Sequence, residues 1–182
     1  MAQQQKVLIV GGGVGGMSAA IALRRDGHTV DLIDLDPHWK VYGAGITITG
    51  PSLRAFHALG VLEEIAAHGY TGEGIRVCNV AGEPQHDIDT RGDGLDGLPS
   101  SGGIMRPVLH QILSKRTRDS GVAVRLGLTV EQLAEDTEGV DVVFSDGTTG
   151  RYDFVVGADG IFSRVRSLLM PQAPKPAYTG QS

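Results

Sequence analysis

The chain is poor in the residues that carry covalent or metal chemistry. It has one cysteine, Cys78, in 182 residues. No internal disulfide can form, a cysteine-only metal site is excluded, and a chain without disulfides suits a reducing, cytoplasmic setting. Cys78 itself reads as a small buried apolar residue. Long apolar runs are absent too. The start, MAQQQKVLIV, offers four apolar residues before a glycine cluster, too few for a signal-peptide core or a membrane span. Basic residues are outnumbered, 16 Lys and Arg against 21 Asp and Glu for a net charge of -5, so the electrostatic footprint of a nucleic-acid binder is missing. No H-E-x-x-H, G-x-S-x-G or paired-cysteine motif occurs. His28, His38, His57, His68, His86 and His110 are scattered without ligand spacing, and Asp87 and Asp89 alternate as a solvated strand face does. No metal site is expected.

Glycine is what the chain has in excess. Its 27 glycines follow no repeat and form no low-complexity run, so they serve turns and close backbone approaches. With 41% hydrophobic and 20% charged residues the composition is that of an ordinary globular protein. The length allows one domain with a sizeable core, or one domain and a piece of a second.

Hydrophobic patterning places the elements. Residues 6–10, KVLIV, read as a buried parallel strand. A helix over 14–26 follows the glycine cluster, closed by Gly27, and residues 29–35 form a second strand. Strand, glycine turn, helix and strand within about thirty residues make a βαβ unit. Beyond it come a loop with a short strand at 46–48, a helical stretch over 51–68 broken at Gly60, and a hairpin of 75–80 with 85–90 around Gly82. Residues 91–103 read as a loop, and 107–119 as an amphipathic helix opened by Pro107. Extended stretches at 122–134, 139–145 and 149–152 suggest an antiparallel meander. FVVGADG at 154–160 is again a buried strand running into a glycine turn, with a helix over 161–169.

Two of these turns carry chemistry. Gly11, Gly12, Gly13, Val14, Gly15 and Gly16 fit G-x-G-x-x-G between a strand and a helix. Gly11 permits the tight turn, Gly13 lets the backbone approach a pyrophosphate, and Gly16 lets the helix pack on the strand. The helix start supplies free N–H groups and partial positive charge. Asp34 closes the second strand's alternation and is the best candidate to accept hydrogen bonds from the adenosine ribose; Asp31 and Asp36 compete for the role. A carboxylate there repels a 2′-phosphate, so this site should not take NADP. To this point NAD and FAD are equally served. The later chain separates them: an NAD domain usually continues with another helix and a third parallel strand, whereas here a long excursion and a meander intervene before the strand at 154–158.

That strand leads into Gly157-Ala158-Asp159-Gly160-Ile161-Phe162-Ser163-Arg164-Val165-Arg166. With this run the chain resembles the single-component flavoprotein aromatic hydroxylases, the group of para-hydroxybenzoate and salicylate hydroxylases. The match to their second fingerprint, G-A-D-G-x-x-S-x-x-R, adds to the N-terminal glycine motif in the right order and separation. The resemblance covers essentially the whole chain and implies a glutathione-reductase-like α/β fold: a Rossmann-type FAD-binding domain with a parallel sheet and an antiparallel β-meander. It further implies that Asp159 contacts the cofactor near its ribityl and pyrophosphate part, that Arg166 holds the fingerprint turn, and that Val130 approaches the adenine by its backbone. Arg106, before Pro107, fits the family's FAD-contacting arginine, and Gly43-Ala44-Gly45-Ile46 the stretch passing the flavin ring. The bland reading of Asp159 is a cap at a strand–helix turn. The family often has Arg after the ribose-binding acid; this chain has Leu35, with Lys40 as a substitute.

The implied parent reaction is hydroxylation of an aromatic compound by O2 through a flavin C4a-hydroperoxide, with NADH or NADPH as reductant. The implied domains are an FAD-binding part of residues 1–72 and 104–182 and an excursion, 73–103, belonging to a substrate domain. The family's third fingerprint, a G-D pair beyond the second, is absent, so the chain alone is not expected to turn over. A small aromatic substrate and O2 are the implied partners of the full-length enzyme, with a homo-oligomer or a complementing chain as a further expectation, and neither nucleic acid nor membrane. No catalytic acid or base can be named. The alternatives are an FAD-dependent epoxidase, halogenase or reductase, or a non-catalytic FAD-binding module. Trp39, the sole tryptophan, weighs against the halogenases, which carry a Trp-rich signature.

Overall fold

A computed structural model of the chain describes residues 3–89 and 97–180. Strand β1 (Lys6–Val10), helix α1 (Val14–Arg25) and strand β2 (Thr29–Asp34) stand where their patterns place them. Val7 to Val10 are buried, as a strand covered on both faces requires. α1 closes at Gly27, φ +94, where the N–H of His28 donates to the Leu23 carbonyl at 3.0 Å; a left-handed glycine ends helices in this way. Strands β8 (Ala123–Leu126) and β12 (Phe154–Gly157) complete an all-parallel sheet in the order β12-β1-β2-β8. The turns after β1, β2 and β12 therefore open at the same edge, the carboxyl ends of the strands, where such sheets bind ligands.

Strands β9 (Val130–Asp136), β10 (Gly139–Phe144) and β11 (Thr149–Tyr152) form the antiparallel meander. Its inner residues Val130, Val142, Phe144 and Tyr152 share one apolar core with Leu8, Val10, Ile33 and Val165. The Tyr152 hydroxyl donates to Asp31 at 2.7 Å, tying the meander to the parallel sheet. The extended stretch expected over 122–134 is two strands in two different sheets. Gly127, φ +74, turns the chain between them, and the N–H of Leu128 donates to the Asp34 carbonyl at 3.0 Å. Helix α5 (Arg164–Leu169) starts three residues later than its apolar run suggests, because Ser163 caps it and accepts from the N–H of Arg166 at 2.9 Å.

The chain divides into two compact units, Met1–Lys40 with Leu113–Ser182, and Val41–Ile112. The second holds strand β3 (Gly45–Thr49), helices α2 (Gly50–Ala58) and α3 (Leu62–His68), strand β4 (Tyr70–Gly72), the hairpin of β5 (Ile75–Cys78) and β6 (Pro84–Ile88), and strand β7 (Ser101–Met105). Helix α4 (Arg106–Asp119) contributes residues to both units. β3, β7 and β4 form an antiparallel sheet with β7 central. The loop expected over 91–103 ends in this strand instead; residues 90–96 lie outside the described residues. Gly102 and Gly103 depress strand propensity, yet Gly102 is where the backbone of Tyr70 comes close, 2.8 Å from where a Cβ would stand. Cys78 is exposed rather than buried, since every residue of β5 and β6 is exposed. Among the described residues no helix is long and apolar enough to cross a membrane.

Candidate functional site

The turn after β1 uses its glycines in two ways. Gly11 has φ +110, donates its N–H to the Ile33 carbonyl at 2.8 Å, and would drive a Cβ into the backbone of Ala158. At Gly16 a Cβ would collide with the Gly11 carbonyl. These two glycines are demanded by the packing of loop and helix. Gly13 and Gly15, by contrast, have nothing within 4 Å of where a Cβ would stand. They keep open the space before the start of α1, which has no side-chain cap and no acidic residue in its first turn. Uncapped N–H groups carrying partial positive charge suit an anion there. Val14 begins α1 and is partly exposed.

A cleft of about 320 Å³ runs along this edge, lined by Gly11, Gly13, Asp34, Thr129, Asp159 and Arg164 among others. Asp34, at the end of β2, accepts from the Gly12 N–H at 2.6 Å and the Asp36 N–H at 2.8 Å. The two competing acids have partners of their own. Asp31 receives the Tyr152 hydroxyl, and Asp36 binds the N–H groups of His38 and Lys40, each at 2.9 Å. Those two N–H groups, Lys40 first, hold the Asp36 carboxyl below its ordinary pKa.

Asp159 lines the cleft, but its carboxylate is already well used. It accepts from the Ser163 hydroxyl at 2.5 Å, the Arg164 N–H at 2.6 Å and the Val165 N–H at 3.0 Å. Arg166 donates to the Ile161 carbonyl at 2.6 Å. Asp159, Ser163 and Arg166 thus hold the turn between β12 and α5 in shape, and the N–H of Ala158 donates to the Val10 carbonyl at 2.8 Å, setting that turn beside the glycine loop. Val130 is fully buried; Leu128 and Thr129, just before it, line the cleft. Gly45 and Arg106 lie together in the second unit: Gly45 pairs with Met105, and the Arg106 N–H donates to the Ala44 carbonyl at 3.2 Å.

Two residues of this edge had no legible signal in the sequence. Arg164 occupies a variable place in the second fingerprint, yet its guanidinium reaches the Val130 carbonyl at 3.4 Å and Glu131 at 3.7 Å. Trp39 falls in an irregular loop, and its indole N–H donates to the Gly12 carbonyl at 2.9 Å.

The open space before Gly13 and Gly15, the uncapped helix start and the carboxylate ending β2 fit the pyrophosphate and ribose of an adenine dinucleotide. Comparison with known proteins agrees. The chain is 33% identical over 175 residues to 3-amino-4-hydroxybenzoate 2-monooxygenase of Streptomyces cremeus, covering 94% of this chain and 44% of that protein. It is 34% identical over 182 residues to the chloroplastic zeaxanthin epoxidase of Oryza sativa subsp. japonica, covering 94% and 27%. A solved structure of the tetrameric form of 2-methyl-3-hydroxypyridine-5-carboxylic acid oxygenase superposes with a TM-score of 0.75 at 28% identity, covering 93% of this chain and 43% of that one. The chain spans under half the length of the curated relatives it matches. The family model described as FAD binding domain matches residues 4–179, and the chain belongs to that family.

Proposed function

We propose that this chain is the FAD-binding part of an NAD(P)H-dependent flavoprotein monooxygenase that hydroxylates an aromatic compound. The observation that carries the reading is the pairing of two fingerprints at one sheet edge, the open glycine loop after β1 and the Asp159 turn after β12. The likeness to a hydroxybenzoate monooxygenase and a pyridine-carboxylate oxygenase supports the aromatic substrate class. FAD, when bound, supplies the redox and oxygen-transfer chemistry, with NADH or NADPH as reductant and O2 as the oxygen source.

The chain's own residues bind and orient. N–H groups at the start of α1 hold the pyrophosphate. Asp34 accepts from the ribose hydroxyls with the lone pairs that Gly12 and Asp36 leave free. The backbone near Val130 borders the adenine. The Asp159 turn shapes the ribityl side, mainly through its backbone, since its carboxylate is spent on the turn. Gly45 and Arg106 serve the flavin end, and residues 73–103 belong to the substrate side. A cytoplasmic setting, where NAD(P)H is at hand, goes with this reading.

Titration of the purified chain with FAD tests the binding part: failure to bind FAD would sink it. Oxidation of NADPH or NADH stimulated by aromatic acids, measured on a polypeptide that also carries a substrate domain, tests the reaction. The zeaxanthin epoxidase likeness favours a second reading, epoxidation of a non-aromatic alkene. Stimulation by alkenes and not by aromatic acids would select it.

A further inference from the structure

Trp39 combines three features that a loop residue rarely has together. It is buried, only 7% exposed. Its φ of +47 makes it the one non-glycine residue at positive φ among the described residues, a conformation that persists only where the surroundings impose it. Its indole N–H donates to the carbonyl of Gly12, inside the phosphate loop, at 2.9 Å. The Arg118 guanidinium lies 4.9 Å from the ring centroid, within cation–π range.

The Gly12 residue is thereby held at both ends. Its N–H is bound by Asp34 at 2.6 Å and its carbonyl by Trp39, and a Cβ on Gly12 would collide with the indole. A glycine-rich loop is otherwise free to rotate its peptide units, because glycine visits both signs of φ readily. A rotation that brought the Gly12 carbonyl toward the cleft would set an acceptor dipole against a phosphate and withdraw positive potential from the site. The buried indole prevents that rotation by occupying the carbonyl on the protein side.

We infer that Trp39 is a positioning residue for the pyrophosphate: its N–H locks the Gly12 peptide so that the loop meets the anion with N–H groups only. This deepens the dinucleotide reading and rests on it. The test replaces Trp39 with 3-benzothienylalanine, which keeps the bicyclic shape and puts sulfur in place of N–H. Binding of ADP and of adenosine is then compared with the parent chain by calorimetry and by NMR titration, alongside the melting temperature. The expected result is an ADP affinity about 3- to 10-fold lower, the range set by the one hydrogen bond that holds the peptide, with adenosine affinity unchanged and the melting temperature lowered by a few degrees as the Gly12 carbonyl loses its buried donor. Trp39→Phe, lacking the same donor, should show the same ligand pattern. ADP affinity equal to the parent's in both variants overturns the inference. An equal loss for adenosine also overturns it, because the effect would then belong to the ribose site. A parent chain that binds neither ADP nor FAD would overturn the dinucleotide reading itself, a distinct result read before any variant is made.

Discussion

At Gly16 a Cβ would collide with the Gly11 carbonyl, and at Gly13 it would meet nothing. The same residue type therefore answers to the fold in one place and to the ligand in the other, which makes the two separable by mutation. Gly13→Val should fold normally and lose dinucleotide binding, because the side chain fills the space the pyrophosphate needs; a soluble Gly13→Val protein that retains FAD would refute the phosphate-loop assignment. Gly16→Ala should instead destabilise the fold by about 1–3 kcal/mol, the usual cost of overpacking, read from denaturant unfolding. Asp34→Ala should weaken FAD binding by about 1.5–3 kcal/mol, the range for hydrogen bonds to a charged group. Titration of apo-protein measures it, and an unchanged affinity would take the ribose role away from Asp34.

Between elements, the bond from Tyr152 on β11 to Asp31 on β2 joins the meander to the parallel sheet. Burial first, and then the Asp31 carboxylate, raise the Tyr152 pKa above its ordinary 10.0. The folded protein thus holds this proton more tightly than the unfolded chain. The associated stability is complete below about pH 10 and is lost as the pH rises from there toward the folded-state value. Tyr152→Phe should cost about 1–3 kcal/mol at neutral pH, as the half-buried Asp31 loses its donor. Between pH 9 and about pH 11 the parent's stability should fall more steeply than the variant's, which has no proton to lose at this position. The β5–β6 hairpin presents a different situation. Ile75 pairs with Ile88 and Val77 follows on the same face, and these three side chains are 51%, 43% and 41% exposed. A two-stranded hairpin is marginal in water, and among the described residues no further strand pairs with its edges, which invites another strand. We expect this face to pair with a second copy of the chain. Light scattering should show dimers or larger species for the parent and monomer for Val77→Lys; equal masses would remove the hairpin from the interface.

At the scale of the molecule, the chain spans under half the length of its curated relatives, and the part that it spans matches the FAD binding domain over residues 4–179. The 182-residue chain should take up FAD, seen as flavin absorbance that survives gel filtration. A protein that leaves the column colourless after incubation with FAD would refute the cofactor assignment. The βαβ unit, the meander and the second fingerprint turn were legible in the amino-acid pattern, because each rests on features local to a few residues: a buried β-branched run, glycine at a turn, alternation along a strand. Strand alternation favoured Asp34 over Asp31 and Asp36 as the candidate ribose acid, whereas the partners of the other two, Tyr152 and the 38–40 loop, come from folding. The division of 122–134 between two sheets, the strand at 101–105 and the exposure of Cys78 were decided by tertiary pairing that overrides propensity. Trp39 and Arg164 belong wholly to the tertiary structure. Each reaches a backbone carbonyl 27 and 34 residues away in sequence, and a backbone carbonyl leaves no mark in the amino-acid code that a partner could be matched to.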